Sequence, residues 1–226
     1  MSYADDEPTM CTRYVSPEAA AIERVWHIGR HSPWRGAEVF PARQGAFIRA
    51  ARDASEAERE LVIGRFGLVP SWSKTADLKY STCNARSEEM AGKPTFKDSW
   101  RLGKRCVVPA SVFFEPCWES GRNHWWRFRR ADGEPWGLAG LWNTWTDLRS
   151  GEIVESYTLL TLNADDHPLM KRMHKPDPRL PPDRQDKRSV VPLELEDVDA
   201  WLFGTRDDAQ KLIRLAPVER FDAEPE

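Results

Sequence analysis

The sequence predicts an α+β fold: a single domain built on a curved, largely antiparallel, barrel-like sheet flanked by short helices. Three observations carry this expectation. From Cys106 onward, four apolar or alternating runs, CVVPASVFFE, NHWWRFRR, WGLAGLWNTW and SYTLLTL, are separated by turn residues at 119–122 and 131–133. Helical spacing of apolar residues is confined to short stretches. The 226 residues contain no internal repeat and no hinge between halves, which suits one large domain with a sizeable core.

Taken in order, residues 1–10 are short, acidic and without periodicity, and are expected to be a disordered leader ahead of a domain spanning 11–226. Ser16 and Pro17 read as an N-cap and first-turn proline for a surface helix carrying Ile22, Val25 and Trp26. The stretch 45–51 and the run LVIGRFGLVPSW read as strands, the second broken by Pro70. Residues 75–104 mix polar loop with a short helix around 96–100. CVVPASVFFE, which ends at Glu115, and the three runs after it supply the main sheet. ADDHPLMKRMH reads as a short helix, KPDPRLPPDRQDKR as a charged, proline-rich loop, SVVPL as a strand, and VDAWLFG as a helical turn closed by Gly204.

Composition excludes several classes of function. A charged fraction of 31%, a mean hydropathy of −0.64 and the absence of any long apolar run give no membrane span. The leader lacks a basic segment followed by an apolar one, so no secretory signal is expected, and a cytoplasmic location is. Cys11, Cys83, Cys106 and Cys117 form no C-x-x-C pair and share no zinc-ligand spacing with the five histidines. Reduced thiols, no metal and no cofactor are therefore expected. A net charge of −3 gives no global attraction to nucleic acid, so a polyanion partner needs a local basic cleft. Eleven tryptophans suit either core filling or base stacking.

The candidate chemistry begins at Met10–Cys11. A cysteine at a free amino terminus is a 1,2-aminothiol: its amine condenses with an aldehyde to an imine, and its sulfur then closes a five-membered thiazolidine. Reference pKa values of about 8.5 for the thiol and about 7.7 to 8.0 for the amine keep both nucleophiles usable near neutral pH. The competing reading is an ordinary buried thiol behind a genuine leader. NARSE, at 84–88, places an amide, a guanidinium and a carboxylate together, or is simply a polar turn. Glu115 ends a strongly apolar run, where desolvation would raise its pKa and suit it to proton transfer; a paired structural glutamate is the alternative. His174 lies where a helix gives way to a proline-rich loop, placed either to shuttle a proton or merely to be solvated.

MCTRY, GLVPSW, NARSE, RCVVPASVFFE, YTLLTLNAD and MHKP together resemble the SOS response-associated peptidase family of abasic-site processing proteins, in order and approximate spacing, from Cys11 to about Trp201. The resemblance implies a single α+β domain that acts on single-stranded DNA and forms a thiazolidine crosslink with an abasic site. Cys11 is implied as nucleophile, exposed by methionine removal or autoproteolysis. Met10 stands where the family's initiator would, which favours it as the true start. Asn84 is implied to hold the reacting terminus, Glu115 to transfer protons, and His174 to serve Schiff-base chemistry and crosslink reversal. Arg86 and Arg13 are implied as phosphate contacts, and Trp72 with Pro41 as the apolar surface beside the lesion. The partner expected is single-stranded DNA containing abasic sites, bound by a monomer.

Three departures accompany the likeness. Thr12 replaces a glycine and would be strained at positive φ. Val112 replaces another, and Pro116 and Cys117 intervene before Trp118. The loop after His174 is longer than the family's H-D-R-M-P, so the likeness implies crosslink formation more directly than reversal. Two other functions remain open: a cysteine peptidase acting in trans through Cys11 and His174, and a non-catalytic single-strand binding module.

Overall fold

A strand pairing that closes on itself organises the chain. The computed structural model describes residues 11–52 and 57–226, so the leader and Met10 lie outside the described residues. In chain order the elements are β1 (Arg13–Ser16), α1 (Ala19–Trp26), β2 (Arg30–His31), β3 (Ala37–Val39), β4 (Gln44–Ala50), β5 (Arg59–Phe66), β6 (Asn84–Arg86), α2 (Lys97–Arg101) and β7 (Arg105–Ala110). There follow β8 (Val112–Cys117), β9 (His124–Arg130), β10 (Trp136–Thr146), β11 (Ile153–Asn163), β12 (Arg188–Val190), β13 (Pro192–Leu193), α3 (Val198–Phe203), α4 (Arg206–Lys211) and β14 (Phe221–Pro225).

Strands β4, β7, β10 and β11 pair antiparallel in turn, and β5 pairs antiparallel with β4. A short parallel pairing of β5 with β11, Phe66 opposite Tyr157, closes the five strands into a barrel. A second sheet, in the order β14-β9-β8-β1-β3, packs beside it. The mixed α+β architecture with a barrel-like, largely antiparallel sheet is the one expected.

Period-two alternation along the barrel strands sorts the core into two clusters. Phe47, Cys106, Val108, Leu138 and Leu159 face one cluster with Tyr14, Phe66 and Tyr157. Their neighbours Ala46, Ile48, Val107, Ala139 and Leu160 face the other, which Ile22 and Trp26 of α1 and Trp201 of α3 complete. Burying each large side chain contributes about 1.5–3 kcal/mol, so these faces fix the strand register.

Several local readings are corrected. Ser16 ends β1, and α1 begins two residues after Pro17 with Glu18 at its N-cap and no side-chain cap, because the strand pairing of Ser16 with Ala37 claims the backbone first. CVVPASVFFE is two strands, not one: the chain turns at Ser111, sending β7 into the barrel and β8 into the second sheet. ADDHPLMKRMH forms only a 3-10 turn at Met170–Arg172. Helix α4, with its Thr205–Asp208 capping box, and strand β14 were not anticipated. Thr12 is not among the described non-glycine residues with positive φ, so its replacement of glycine brings no backbone strain.

Gly45 shows how tightly the barrel is filled beside the site. The Tyr14 and Tyr157 hydroxyls share a short buried hydrogen bond across its Cα. A Cβ there would collide with the Tyr157 hydroxyl and lie 2.6 Å from that of Tyr14. Gly45→Ala is therefore expected to lose about 2–4 kcal/mol of stability. Thermal unfolding should report a fall in Tm of roughly 5–15 °C.

Candidate active site

The four residues expected to carry chemistry meet at the junction of the two sheets. Cys11 lies two residues before β1, which pairs with β8 on one side and β3 on the other and so leads the chain away from Cys11 along β8. Its carbonyl oxygen accepts a 2.9 Å hydrogen bond from Asn84 Nδ2. Asn84 opens β6, whose parallel pairing with Leu159–Thr161 of β11 fixes it against the barrel wall. NARSE is thus a strand running into a turn: the backbone amide of Met90 bonds back to the Arg86 carbonyl.

Glu115 lies in β8, 1% exposed, and pairs through its backbone with Trp126 of β9. Burial raises its carboxyl above the usual carboxylate range, and hydrogen bonds from His174 and Cys11 offset part of that rise. The Cys11 thiol is raised well above its usual value, first by burial and then by the Glu115 charge. The resting sulfur is therefore a protonated thiol beside a carboxyl group able to take its proton.

His174 is bound by the same strand. A 2.9 Å hydrogen bond joins its Nε2 to Glu115 Oε2. Its backbone is left-handed, with φ 65°, a conformation that costs a non-glycine residue energy unless its surroundings hold it. Two bonds hold it: its amide donates to the Pro116 carbonyl at 2.6 Å, and the Lys187 ammonium donates to its carbonyl at 2.7 Å. An isolated bridge between Cys117 and Met173 pins the preceding residue. The hydrogen bond from the imidazole goes to the carboxyl group, and no Cys11–His174 pair is formed among the described residues.

A cavity of about 700 Å³ opens beside this group, with Asn84 and His174 in its wall. Both carry a buried side-chain polar atom without a hydrogen-bond partner, Asn84 Oδ1 and His174 Nδ1; the only other such side-chain atom among the described residues is Arg188 Nε, and Arg188 also lines the cavity. Buried polar atoms are seldom left unpaired, and three at one cavity mark it as a place where water or a ligand completes the bonding.

The predicted binding residues are dispersed around the site. Arg86 lines the cavity, ion-paired with Asp186 at 2.6 Å and Glu89 at 3.7 Å. Trp72 is 55% exposed and donates from Nε1 to the carbonyl of Pro94, next to the cavity-lining Lys93. Its loop is anchored by Asn143 to the Val69 carbonyl and by Trp145 to the Ser73 carbonyl. Pro41 is exposed in a turn beside Ala42, at φ 64°. Arg13 is engaged elsewhere: its guanidinium stacks 4.0 Å from the Phe114 ring centre and is held by Glu38 and Glu226. Among the described residues no group of three or more metal-ligating side chains converges. No described helix is long and apolar enough to cross a membrane.

Sequence reasoning missed Lys187 and Arg188. The DKR that opens β12 places one under the His174 carbonyl and ties the other to Glu88 at 2.7 Å. The one available signal was a pair of basic residues leading into an apolar strand.

Comparison with known proteins places the chain among relatives. The model of the family described as SOS response associated peptidase (SRAP) matches residues 10–225, further than the motifs had suggested. Abasic site processing protein HMCES from Xenopus tropicalis is 31% identical over 199 residues, covering 77% of this chain and 54% of its own. Abasic site processing protein YoqW from Bacillus subtilis strain 168 is 28% identical over 131 residues, 57% of this chain and 56% of its own. The chain spans about half the length of the curated relatives it matches, from 40% to 56% of each of these and of the chicken HMCES. A crystal structure of a Bordetella bronchiseptica protein superimposes with a TM-score of 0.83 at 33% identity, covering 96% of this chain and 99% of the other. One from Bacteroides thetaiotaomicron, at 22% identity and a TM-score of 0.74, shares the fold.

Proposed function

Because the chain belongs to the SOS response associated peptidase family, we propose that it binds single-stranded DNA containing abasic sites and crosslinks itself to them through Cys11 as the terminal residue of the mature chain. The observation that supports this most is the pairing of cavity with buried chemistry. Asn84 and His174 line the cavity, and each is hydrogen-bonded to a buried partner, the Cys11 carbonyl and the Glu115 carboxyl.

The reaction follows from what these groups can do. Ring opening of an abasic sugar leaves an aldehyde at C1′. The Cys11 amine adds to that carbon, and the resulting carbinolamine loses its hydroxyl as water when Glu115 supplies a proton. Dehydration leaves an iminium whose nitrogen keeps its own proton; the sulfur then adds to the iminium carbon, forming the C–S bond and moving the C=N electron pair onto nitrogen, while the thiol proton goes to the Glu115 carboxylate and restores its acid form. The products are a neutral thiazolidine and one water. Asn84 holds the Cys11 carbonyl so that amine and thiol face the same carbon, which lowers the entropic cost of ring closure. Through its hydrogen bond to the carboxyl group, His174 fixes the carboxyl's orientation and its share of the proton.

Selectivity needs no reading of base sequence. An abasic nucleotide lacks its stacked base, so turning it into the cavity costs less than flipping an intact one. Trp72, held by the Pro94 carbonyl, with Pro41, is assigned to contact the neighbouring bases, and Arg86 to contact a phosphate. Arg13 joins that set only if DNA phosphate displaces Glu38 or Glu226. Removal of Met10 as initiator, or cleavage of the leader, supplies the free terminus. The test is a denaturing gel after incubation with single-stranded oligonucleotides. An abasic strand should give a heat-stable, slower band, and an intact strand none. Equal, salt-sensitive binding of both strands without a covalent band would instead identify a passive binding module.

A further inference from the structure

The segment after His174 and the residue that follows β8 come together beside the cavity. Lys175, Asp177, Arg179, Leu180, Gln185 and Asp186 form one side of it, and Trp118, next after β8, lies beneath Lys175. Lys175 Nζ is 5.3 Å from the Trp118 ring centre. The loop is ordered by its own side chains: Gln185 accepts from the Asp177 amide at 2.8 Å and donates to the carbonyls of Leu180 and Pro181.

Five cations line the cavity: Arg86, Lys93, Lys175, Arg179 and Arg188. Arg86 pairs with Asp186, Lys93 with Glu89, Arg179 with Asp177, and Arg188 with Glu88 and Asp186. Among the described residues Lys175 alone of the five meets no carboxylate. Its ammonium is held over an indole ring, which positions it without neutralising it. It follows directly on His174, whose left-handed backbone is fixed by the bonds to Pro116 and Lys187.

We infer that Lys175, seated on Trp118, is an anion subsite that takes a backbone phosphate of the nucleotide flanking the reacting sugar. This deepens the proposed function and rests on it for the identity of the strand. An unpaired ammonium needs no carboxylate to be displaced before it binds phosphate, unlike the other four. Fixing the strand one residue away from His174 would hold the abasic sugar against Glu115 and Cys11.

The experiment measures equilibrium binding of a fluorescein-labelled single-stranded oligonucleotide containing a tetrahydrofuran abasic analogue, which has no aldehyde and cannot crosslink. Affinity is followed across a salt series for the wild type, Lys175→Ala and Lys175→Arg. One phosphate contact on a single strand contributes about 0.7 to the slope of log affinity against log salt. Lys175→Ala should lose about that much slope and bind several-fold more weakly at low salt, while Lys175→Arg keeps both. An unchanged slope in Lys175→Ala, or no binding of the analogue by the wild type, overturns the inference. Crosslinking of a true abasic strand, run in parallel, separates the two claims. A wild-type adduct with an unchanged Ala slope sinks the subsite alone, and a lost slope without any adduct sinks the crosslinking reaction alone.

Discussion

Cys11→Ala is expected to abolish the heat-stable adduct with abasic single-stranded DNA completely, while leaving a transient imine. The reason is the division of labour within one residue. Alanine at the same terminus keeps the amine, so condensation with the sugar aldehyde still occurs, but without sulfur the imine hydrolyses on heating. Adding borohydride should therefore restore a covalent band for Cys11→Ala by reducing the imine to an amine. Cys11→Ser should behave like alanine, because its hydroxyl is a far weaker nucleophile at neutral pH. Cys11 is buried in the core, so the Tm of each variant is measured beside its crosslinking; β1 keeps its own pairings with β3 and β8 in both variants. A stable band in Cys11→Ala without borohydride would show that some other residue makes the bond.

Glu115→Gln should slow crosslinking by about a hundredfold to ten-thousandfold, the range associated with loss of a positioned general acid or base. The pH dependence gives the sign. Burial raises the folded-state pKa of Glu115, so its acid form persists to higher pH than in the unfolded chain. The wild-type rate should climb as the Cys11 amine deprotonates and be held down as pH rises through the raised carboxyl value. The glutamine variant should keep the first limb and lose the second. Linkage fixes the effect on stability as well: the contribution of Glu115 is fully present below its unfolded pKa and lost as pH rises through its folded one. At pH 8 the variant, which carries no buried charge, should melt no lower than wild type while its crosslinking collapses. Parallel loss of rate and Tm would reduce Glu115 to a structural residue.

The legible parts of this molecule were those written as local pattern. The alternating run NHWWRFRR and the apolar run WGLAGLWNTW placed β9 and β10, because a partly exposed strand alternates and a strand buried on both faces is apolar nearly throughout. Short motifs singled out Cys11, Asn84, Glu115 and His174 as candidates, and the structure brings those four together, since each lies within or near an element that such motifs mark. What sequence could not show was how the elements are connected in space. The break at Ser111 sends two adjacent strands into different sheets, and that division is what lets Glu115 of β8 and Asn84 of β6 both reach Cys11. Ser16 looked like a helix cap because the strand partner that claims it, Ala37, lies 21 residues away. Arg13 looked free for phosphate, yet its partner Glu226 is at the far end of the chain. The Lys175–Trp118 contact joins two loop segments more than fifty residues apart, and nothing in either announces the other.

The measurement that bears most directly on the central claim is the intact mass of the purified adduct, together with stepwise degradation of the free protein from its amino terminus. The account predicts a free chain beginning at Cys11 and an adduct weighing that chain plus the abasic strand minus one water. A protein that begins ahead of Cys11 and still crosslinks, or an adduct mass that retains the water, would contradict it.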